Sequence, residues 1–310
     1  MTKITVLGAG AMGSRMARNF LNAGYAVTVY NRSPQRAASL QAAGATLAPT
    51  PRAAADDADV VISMVRDDEA SQALWLSAGT GAIHSLGSGA VAIESSTLTP
   101  GWVTELAGKI RETGTAFLEA PVLGTRPQAE AGHLIYLVGG EAADLARVEA
   151  VLKATSRAIH HLGAIGSAAA MKLAVNTLYG VQVAIWAEML ALLDRQGIAP
   201  SHAVELLNTL PTTSPALQGA GTLMAQRNYT PLFPIDLVEK DFGYALATAR
   251  ALGVATPTLA AVHAIYADAK ARGYGDDNIV GVKQVFDGAG AGHSRIRREN
   301  VLVPPTDEEG

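Results

Sequence analysis

Lys172 and Asn176 stand four residues apart in GAIGSAAAMKLAVNTLYGVQVAIWAEMLALLDRQ (residues 163–196), a stretch that is otherwise almost wholly apolar in its first half. On a helix that spacing puts both on one face. Desolvating an ammonium without a partner is costly, so Lys172 must line a polar cavity or reach water. Two roles fit. The lysine is a general acid–base group beside an amide that orients it or a substrate, or its stem packs on the core while its head reaches solvent.

A second set of residues suits an anion. KITVL (3–7) runs directly into Gly8-Ala9-Gly10-Ala11-Met12-Gly13, then into a helical stretch (14–23) and the apolar run YAVTVY (25–30). Strand, glycine turn, helix, strand is the context that makes G-x-G-x-x-G a dinucleotide fingerprint. Gly8 permits the tight turn, Gly10 lets backbone approach a pyrophosphate at the helix N-terminus, and Gly13 allows close packing of helix on strand. Gly8, Gly10, Ala11, Met12 and Gly13 are therefore candidate cofactor residues.

The residues after the second strand bear on which dinucleotide. NAD binders place a carboxylate there for the ribose 2′-hydroxyl. This chain has Asn31-Arg32-Ser33. Arg32 suits a 2′-phosphate through paired donors, with Asn31 and Ser33 adding hydrogen bonds, so NADP(H) is favoured over NAD. An Arg32 that is merely solvated would leave the choice open.

These groups need elements to hold them. The pattern predicts further strands at 45–47, 59–65, 90–93, 117–119, 134–138 and 158–162, with helices at 51–58, 67–76, 100–113 and 142–154. Alternation of this kind implies an α/β fold, a doubly wound and mostly parallel sheet of the Rossmann type with helices on both faces. Ligands of such sheets bind beyond the carboxyl ends of the strands. That puts Met64, Val65 and Thr97 near the cofactor and Ser96 toward a substrate. Segment 119–132 (EAPVLGTRPQAEAG) has no clear period and reads as a functional loop. Its amides at Leu123, Gly124 and Thr125 suit an anion such as a carboxylate.

After Gly163 the strand signals stop. The 163–196 stretch reads as one helix, about 45 Å long if thirty residues are helical. Further helices are expected at 201–208, 214–227, 235–252, 258–272 and 279–286. The expected organisation is a dinucleotide-binding domain (1–162), an all-helical substrate and oligomerisation domain (163–292) joined by the long helix, and a mobile tail (293–310). A helix apolar nearly all round is buried in a large core or between two bodies, so a homodimer or homotetramer is expected.

Composition narrows the function classes. Net charge is −4 with no basic run, which argues against nucleic acid as a partner. Cysteine is absent, which removes thiolate metal sites and disulfides. The histidines show no ligand spacing, so no metal site is expected. The long apolar helix carries Lys172, Asn176, Gln182 and Glu188, which argues against a membrane span. No signal peptide is evident, and a soluble cytoplasmic protein is expected.

Four segments, in order, resemble the β-hydroxyacid dehydrogenase (3-hydroxyisobutyrate dehydrogenase-like) family. VLGAGAMGSRMARNFLNAGYAVTVYNR is similar to its nucleotide fingerprint, and EAPVLGTRPQAEAGHL to its substrate loop. GAIGSAAAMKLAVN is similar to its catalytic helix, and EKDFGYALATARALG to its second cofactor segment. Asn31-Arg32 with Gly124-Thr125 looks closest to the NADPH-dependent glyoxylate and succinic semialdehyde reductases. The resemblance implies hydride transfer between nicotinamide and a small carbonyl or β-hydroxy acid. It implies Lys172 as the catalytic group, Asn176 orienting substrate, Lys240 on the cofactor, and Phe233 and Asp241 by the site.

One position departs from the family. Leu123 stands where its loop usually has a serine on the substrate carboxylate. Either Thr125 supplies the donor, or the substrate is larger or less polar. Among rivals, imine reductases look alike but usually carry Asp or Tyr in place of Lys172. A 6-phosphogluconate dehydrogenase would be longer, with a histidine just before the lysine. In another class, non-catalytic NADP-binding scaffold domains have lost that lysine.

Overall fold

The computed structural model describes residues 1–287. The expected tail (293–310) and the last residues of the expected helical domain lie outside them. β1 (Lys3–Leu7), β2 (Ala26–Tyr30), β3 (Thr46–Leu47), β4 (Val60–Ser63), β5 (Val91–Glu94) and β6 (Ala116–Glu119) form one parallel sheet. Its order is β3-β2-β1-β4-β5-β6. The order reverses between β1 and β4, which opens a crevice beyond their carboxyl ends.

The strands are continuous apolar runs because helices cover both faces. α1 (Gly13–Asn22), α2 (Ala38–Ala42), α3 (Pro51–Ala55), α4 (Asp68–Leu76) and α5 (Pro100–Arg111) connect them. Met16, Ala17 and Phe20 of α1 pack with Ile4, Val6, Val29 and Ile62 on one face. Trp75 of α4 and Trp102 of α5 pack with Leu7, Val61, Ala92 and Phe117 on the other.

Two expected strands leave that sheet. β8 (Leu134–Val138) and β9 (Ser156–His161), joined through α7 (Ala142–Lys153), pair in parallel, and β7 (Val122–Leu123) adds antiparallel to β8. Segment 119–132, which showed no period, therefore holds β7 and α6 (Arg126–Glu130). Elements of two and five residues are too short for periodicity to register. Glu119 and Gly139 bridge the two sheets.

The rest of the described chain is helical: α8 (Ser167–Arg195), α9 (Pro200–Leu207), α10 (Pro215–Ala225), α11 (Ile235–Ala251), α12 (Pro257–Ala269) and α13 (Gln284–Asp287). Val183, Trp186 and Leu190 of α8 share a core with Met224, Phe242 and Tyr266. Glycines let these helices approach. A Cβ at Gly221 would lie 1.9 Å from the Trp186 ring, and one at Gly180 would lie 2.5 Å from Phe242.

The long helix is not buried all round within one chain. Lys172, Leu173, Thr177, Val183, Trp186 and Leu190 are buried. Met171, Leu178, Ile185 and Leu192 are 45%, 64%, 46% and 53% exposed. These four recur every seven residues, so they form one continuous stripe.

Candidate active site

α8 begins at a buried anchor. Glu119, at the end of β6, accepts hydrogen bonds from Ala168 N–H and Ala169 N–H, both at 2.9 Å. One turn further on is Lys172, 8% exposed. Its Nζ donates to Asn176 Oδ1 at 3.0 Å, and Asn176 Nδ2 donates to Asp241 Oδ2 at 2.6 Å. Asp241, on α11, is itself buried. Burial lowers the Lys172 pKa to about 8; Asp241 opposes this shift and the nearby Lys240 adds to it. A lysine so placed exchanges a proton near neutrality, which a solvated lysine does not.

α11 ties this chain to the sheet. Lys240 Nζ lies 2.9 Å from Asp241 Oδ1, an ion pair, and donates to Thr97 O at 2.7 Å. It also sits 4.5 Å from the centre of the Tyr244 ring. Tyr244 Oη accepts from Asp68 N–H at 3.0 Å, and Arg66 pairs with Asp236 at 3.1 Å. Three contacts thus latch α11 onto the loops that follow β4 and β5. Lys172 and Asn176 are thereby brought beside the carboxyl ends of those strands.

The glycine turn fits a dinucleotide. Gly8 has φ +104°, and a Cβ there would lie 2.3 Å from Met64 O. A Cβ at Gly13 would lie 2.0 Å from Gly8 O, whereas one at Gly10 meets nothing within 4 Å. The turn is closed at both ends and open in the middle, where a diphosphate would approach. Ala11 is exposed and Met12 half-buried beside it. When bound, a nicotinamide dinucleotide supplies a hydride donor or acceptor.

Other expected site residues have tasks of their own. Asn31, expected to face a 2′-phosphate, accepts from Ala9 N–H at 3.0 Å and donates to Ser33 O at 2.8 Å. Its amide holds the glycine turn against the end of β2, leaving the side chains of Arg32 and Ser33, both exposed residues. Ser96, expected toward substrate, is 3% exposed. Its Oγ accepts from Val65 N–H at 2.8 Å, so it shapes the loop containing Met64 and Val65.

The substrate loop is built separately. Leu123, half-buried, lies opposite Ile135 in the β7–β8 pair. Gly124 has φ +121°, which favours glycine. Thr125 is engaged within its own turn: its N–H and Oγ1 donate to Gln128 Oε1 at 2.9 and 2.8 Å. No hydrogen bond links these three to the Lys172 chain among the described residues. Phe233 precedes α11, its N–H donating to Asn278 Oδ1 at 3.1 Å. Among the described residues, no group of three or more His, Asp or Glu could hold a metal ion.

Residues 3–163 match the NAD binding domain of 6-phosphogluconate dehydrogenase. Residues 166–285 match the NAD-binding region of NADP-dependent 3-hydroxyisobutyrate dehydrogenase. The chain is 32% identical over 287 residues to glyoxylate/succinic semialdehyde reductase 2, chloroplastic, of Arabidopsis thaliana, covering 92% of this chain and 80% of the relative. The chain belongs to the 3-hydroxyisobutyrate dehydrogenase-like family. The chain is also 31% identical to the NAD-dependent L-serine dehydrogenase of Pseudomonas aeruginosa, over 93% of this chain and 98% of that one. The crystal structure of 3-hydroxyisobutyrate dehydrogenase from Salmonella typhimurium superposes with a TM-score of 0.84 at 25% identity, covering 92% of this chain and all of that one. It is thus an oxidoreductase with a nicotinamide dinucleotide-binding Rossmann domain.

Several supports of the site carry little or no signal in the sequence. Glu94 and Glu119 are fully buried carboxylates on adjacent strands, opposite each other in register. Glu94 accepts from Ser71 Oγ, Trp75 Nε1 and Ser96 N–H at 2.7, 2.9 and 2.9 Å. Each ends an apolar run, VAIE and AFLE. An acid closing a buried strand is a signal, since such a charge must be met by donors. Tyr244 and Asp68 carried no signal, because their contact exists only once α11 and α4 meet.

Proposed function

We propose that this dehydrogenase is an NADP(H)-dependent reductase of small carbonyl acids, of the glyoxylate and succinic semialdehyde type, with Lys172 as general acid–base group. The observation that carries this is the chain from buried Lys172 through half-buried Asn176 to buried Asp241, latched by Lys240 to the carbonyl of Thr97. In reduction, the Lys172 ammonium stabilises the charge developing on the substrate carbonyl oxygen and gives it a proton. In oxidation, the neutral amine removes the hydroxyl proton. Asn176 holds the amine, and Asp241 holds the amide of Asn176 with its oxygen toward Lys172.

Arg32 supports NADP(H), as an exposed guanidinium with no carboxylate at the end of β2. The Arabidopsis relative supports a carbonyl acid as substrate. Within that class Leu123 supports the longer, less polar acids of the succinic semialdehyde kind over glyoxylate, since Thr125 spends its hydroxyl on Gln128. Lys172 argues against an imine reductase and against a non-catalytic scaffold.

Steady-state oxidation of NADPH, with NADH in parallel, against glyoxylate, succinic semialdehyde and a cyclic imine tests this. The expected result is turnover of a carbonyl acid with NADPH preferred. Turnover of the imine alone, or of acids with NADH alone, would contradict it.

A further inference from the structure

The buried carboxylate of Glu119 supports Lys172 from another element of the fold. Its two oxygens are used separately, Oε1 by Ala168 N–H and Oε2 by Ala169 N–H, both at 2.9 Å. A helix leaves its first N–H groups without partners, and a side chain at the N-cap ordinarily takes one. α8 has no such cap: Gly166 stands there at φ 94°. Ala168 and Ala169 are 0% and 3% exposed, so water cannot replace a side chain. Glu119, the last residue of β6, supplies both acceptors.

Two acceptors do what one cannot. A single hydrogen bond leaves the helix end free to pivot, whereas two bonds to consecutive residues fix rotation and height together. Lys172 follows by three and four residues, about one turn or 5 Å along the axis. The carboxylate is fixed in its turn. Glu119 N–H donates to Gly139 O and Gly139 N–H to Glu119 O, both at 3.0 Å. The missing side chain of Gly139 leaves its space: a Cβ there would lie 2.2 Å from Glu119 Oε1. Burial raises the Glu119 pKa, and the N–H groups of Ala168, Ala169 and Gly166 oppose the rise.

We propose that Glu119 is the positioning residue for Lys172: its carboxylate sets the rotation and height of the first turn of α8, and so aims the ammonium without touching substrate. The proposal rests on Lys172 being the acid–base group. A cap that served stability alone would lower the melting temperature and leave turnover of the folded enzyme intact. A positioning residue changes kcat while substrate and dinucleotide binding persist.

The test is Glu119→Gln, whose amide presents an NH2 to one of the two backbone donors. NADPH affinity and substrate KM are expected within about 3-fold of wild type, while kcat falls about 100-fold, the usual cost of a ~1 Å misplacement. Hydrogen exchange of a peptide spanning residues 167–172 is expected to accelerate. A folded Glu119→Gln enzyme with wild-type kcat would overturn the proposal. Gly139→Ala is the second variant: it keeps the carboxylate but pushes Oε1 off Ala168, and the same loss of kcat is expected. A folded Gly139→Ala enzyme with wild-type kcat would overturn it equally. Lys172→Met in the same assay separates the two claims, since an active Lys172→Met enzyme refutes the acid–base role whatever Glu119 does.

Discussion

Lys172 Nζ donates to Asn176 Oδ1 at 3.0 Å, one turn of α8 apart, and Asn176 Nδ2 donates onward to Asp241 at 2.6 Å. The order of donors matters. Asp241, as a carboxylate, can only accept, so it turns the NH2 of Asn176 toward itself and the carbonyl oxygen toward Lys172. The lysine meets an acceptor that serves it as ammonium or as amine. That lets it change protonation state without losing its partner.

The pH dependence follows from this. Burial holds Lys172 at about 8, with Asp241 raising and Lys240 lowering it. Reduction uses the ammonium, so kcat/KM for carbonyl reduction is expected to fall as pH rises through that value. Oxidation uses the amine and is expected to rise over the same range. Asp241→Asn removes the group that raises the pKa, so both limbs are expected to move to lower pH. Profiles of the two enzymes measure this; a limb that stays in place in Asp241→Asn would contradict it.

Arg32 is expected to set the dinucleotide preference. In Arg32→Ala, KM for NADPH should rise roughly 10- to 100-fold, the size of one or two lost charge-assisted hydrogen bonds, with NADH little affected. Parallel titrations with the two dinucleotides measure the ratio. An unchanged ratio would show that Arg32 is merely solvated.

How much of this was legible before the fold is seen at particular residues. The glycine turn and the Lys172–Asn176 pair stand close in sequence and carry a period, so their elements could be named. Their distant partners could not. The donation from Lys240 to Thr97 O spans 143 positions, and the bond from Asn176 to Asp241 spans 65. The resemblance implies Lys240 on the cofactor and Asp241 by the site, but not that they hold Thr97 O and Asn176. Asn31 follows β2, where a cofactor is expected, and its amide is bound to Ala9 and Ser33, partners that no sequence spacing announces. Thr125, expected to supply a donor, closes its own turn through Gln128, since small polar residues beside a backbone bond locally first. Ser96, expected toward substrate, holds the N–H of Val65 in the neighbouring loop, 31 positions away.

Assembly is expected through α8. The stripe of Met171, Leu178, Ile185 and Leu192 is apolar, repeats every seven residues, and stays exposed in one chain. A second copy related by a two-fold axis would bury it. Sedimentation velocity at micromolar concentration is expected to show a dimer or tetramer, and Leu178→Glu is expected to dissociate it. A wild-type monomer would contradict this.

The most direct test is Lys172→Met, measured for turnover, NADPH affinity and melting temperature together. General acid–base catalysis contributes about 10²- to 10⁴-fold, and kcat is expected to fall by that much. NADPH affinity should be retained. The melting temperature should rise, because a buried ammonium whose pKa is depressed gives way to an apolar chain of similar length; roughly 1–3 kcal/mol is expected near neutral pH. A Lys172→Met enzyme that reduces its carbonyl acid within about ten-fold of the wild-type rate would contradict the role of Lys172.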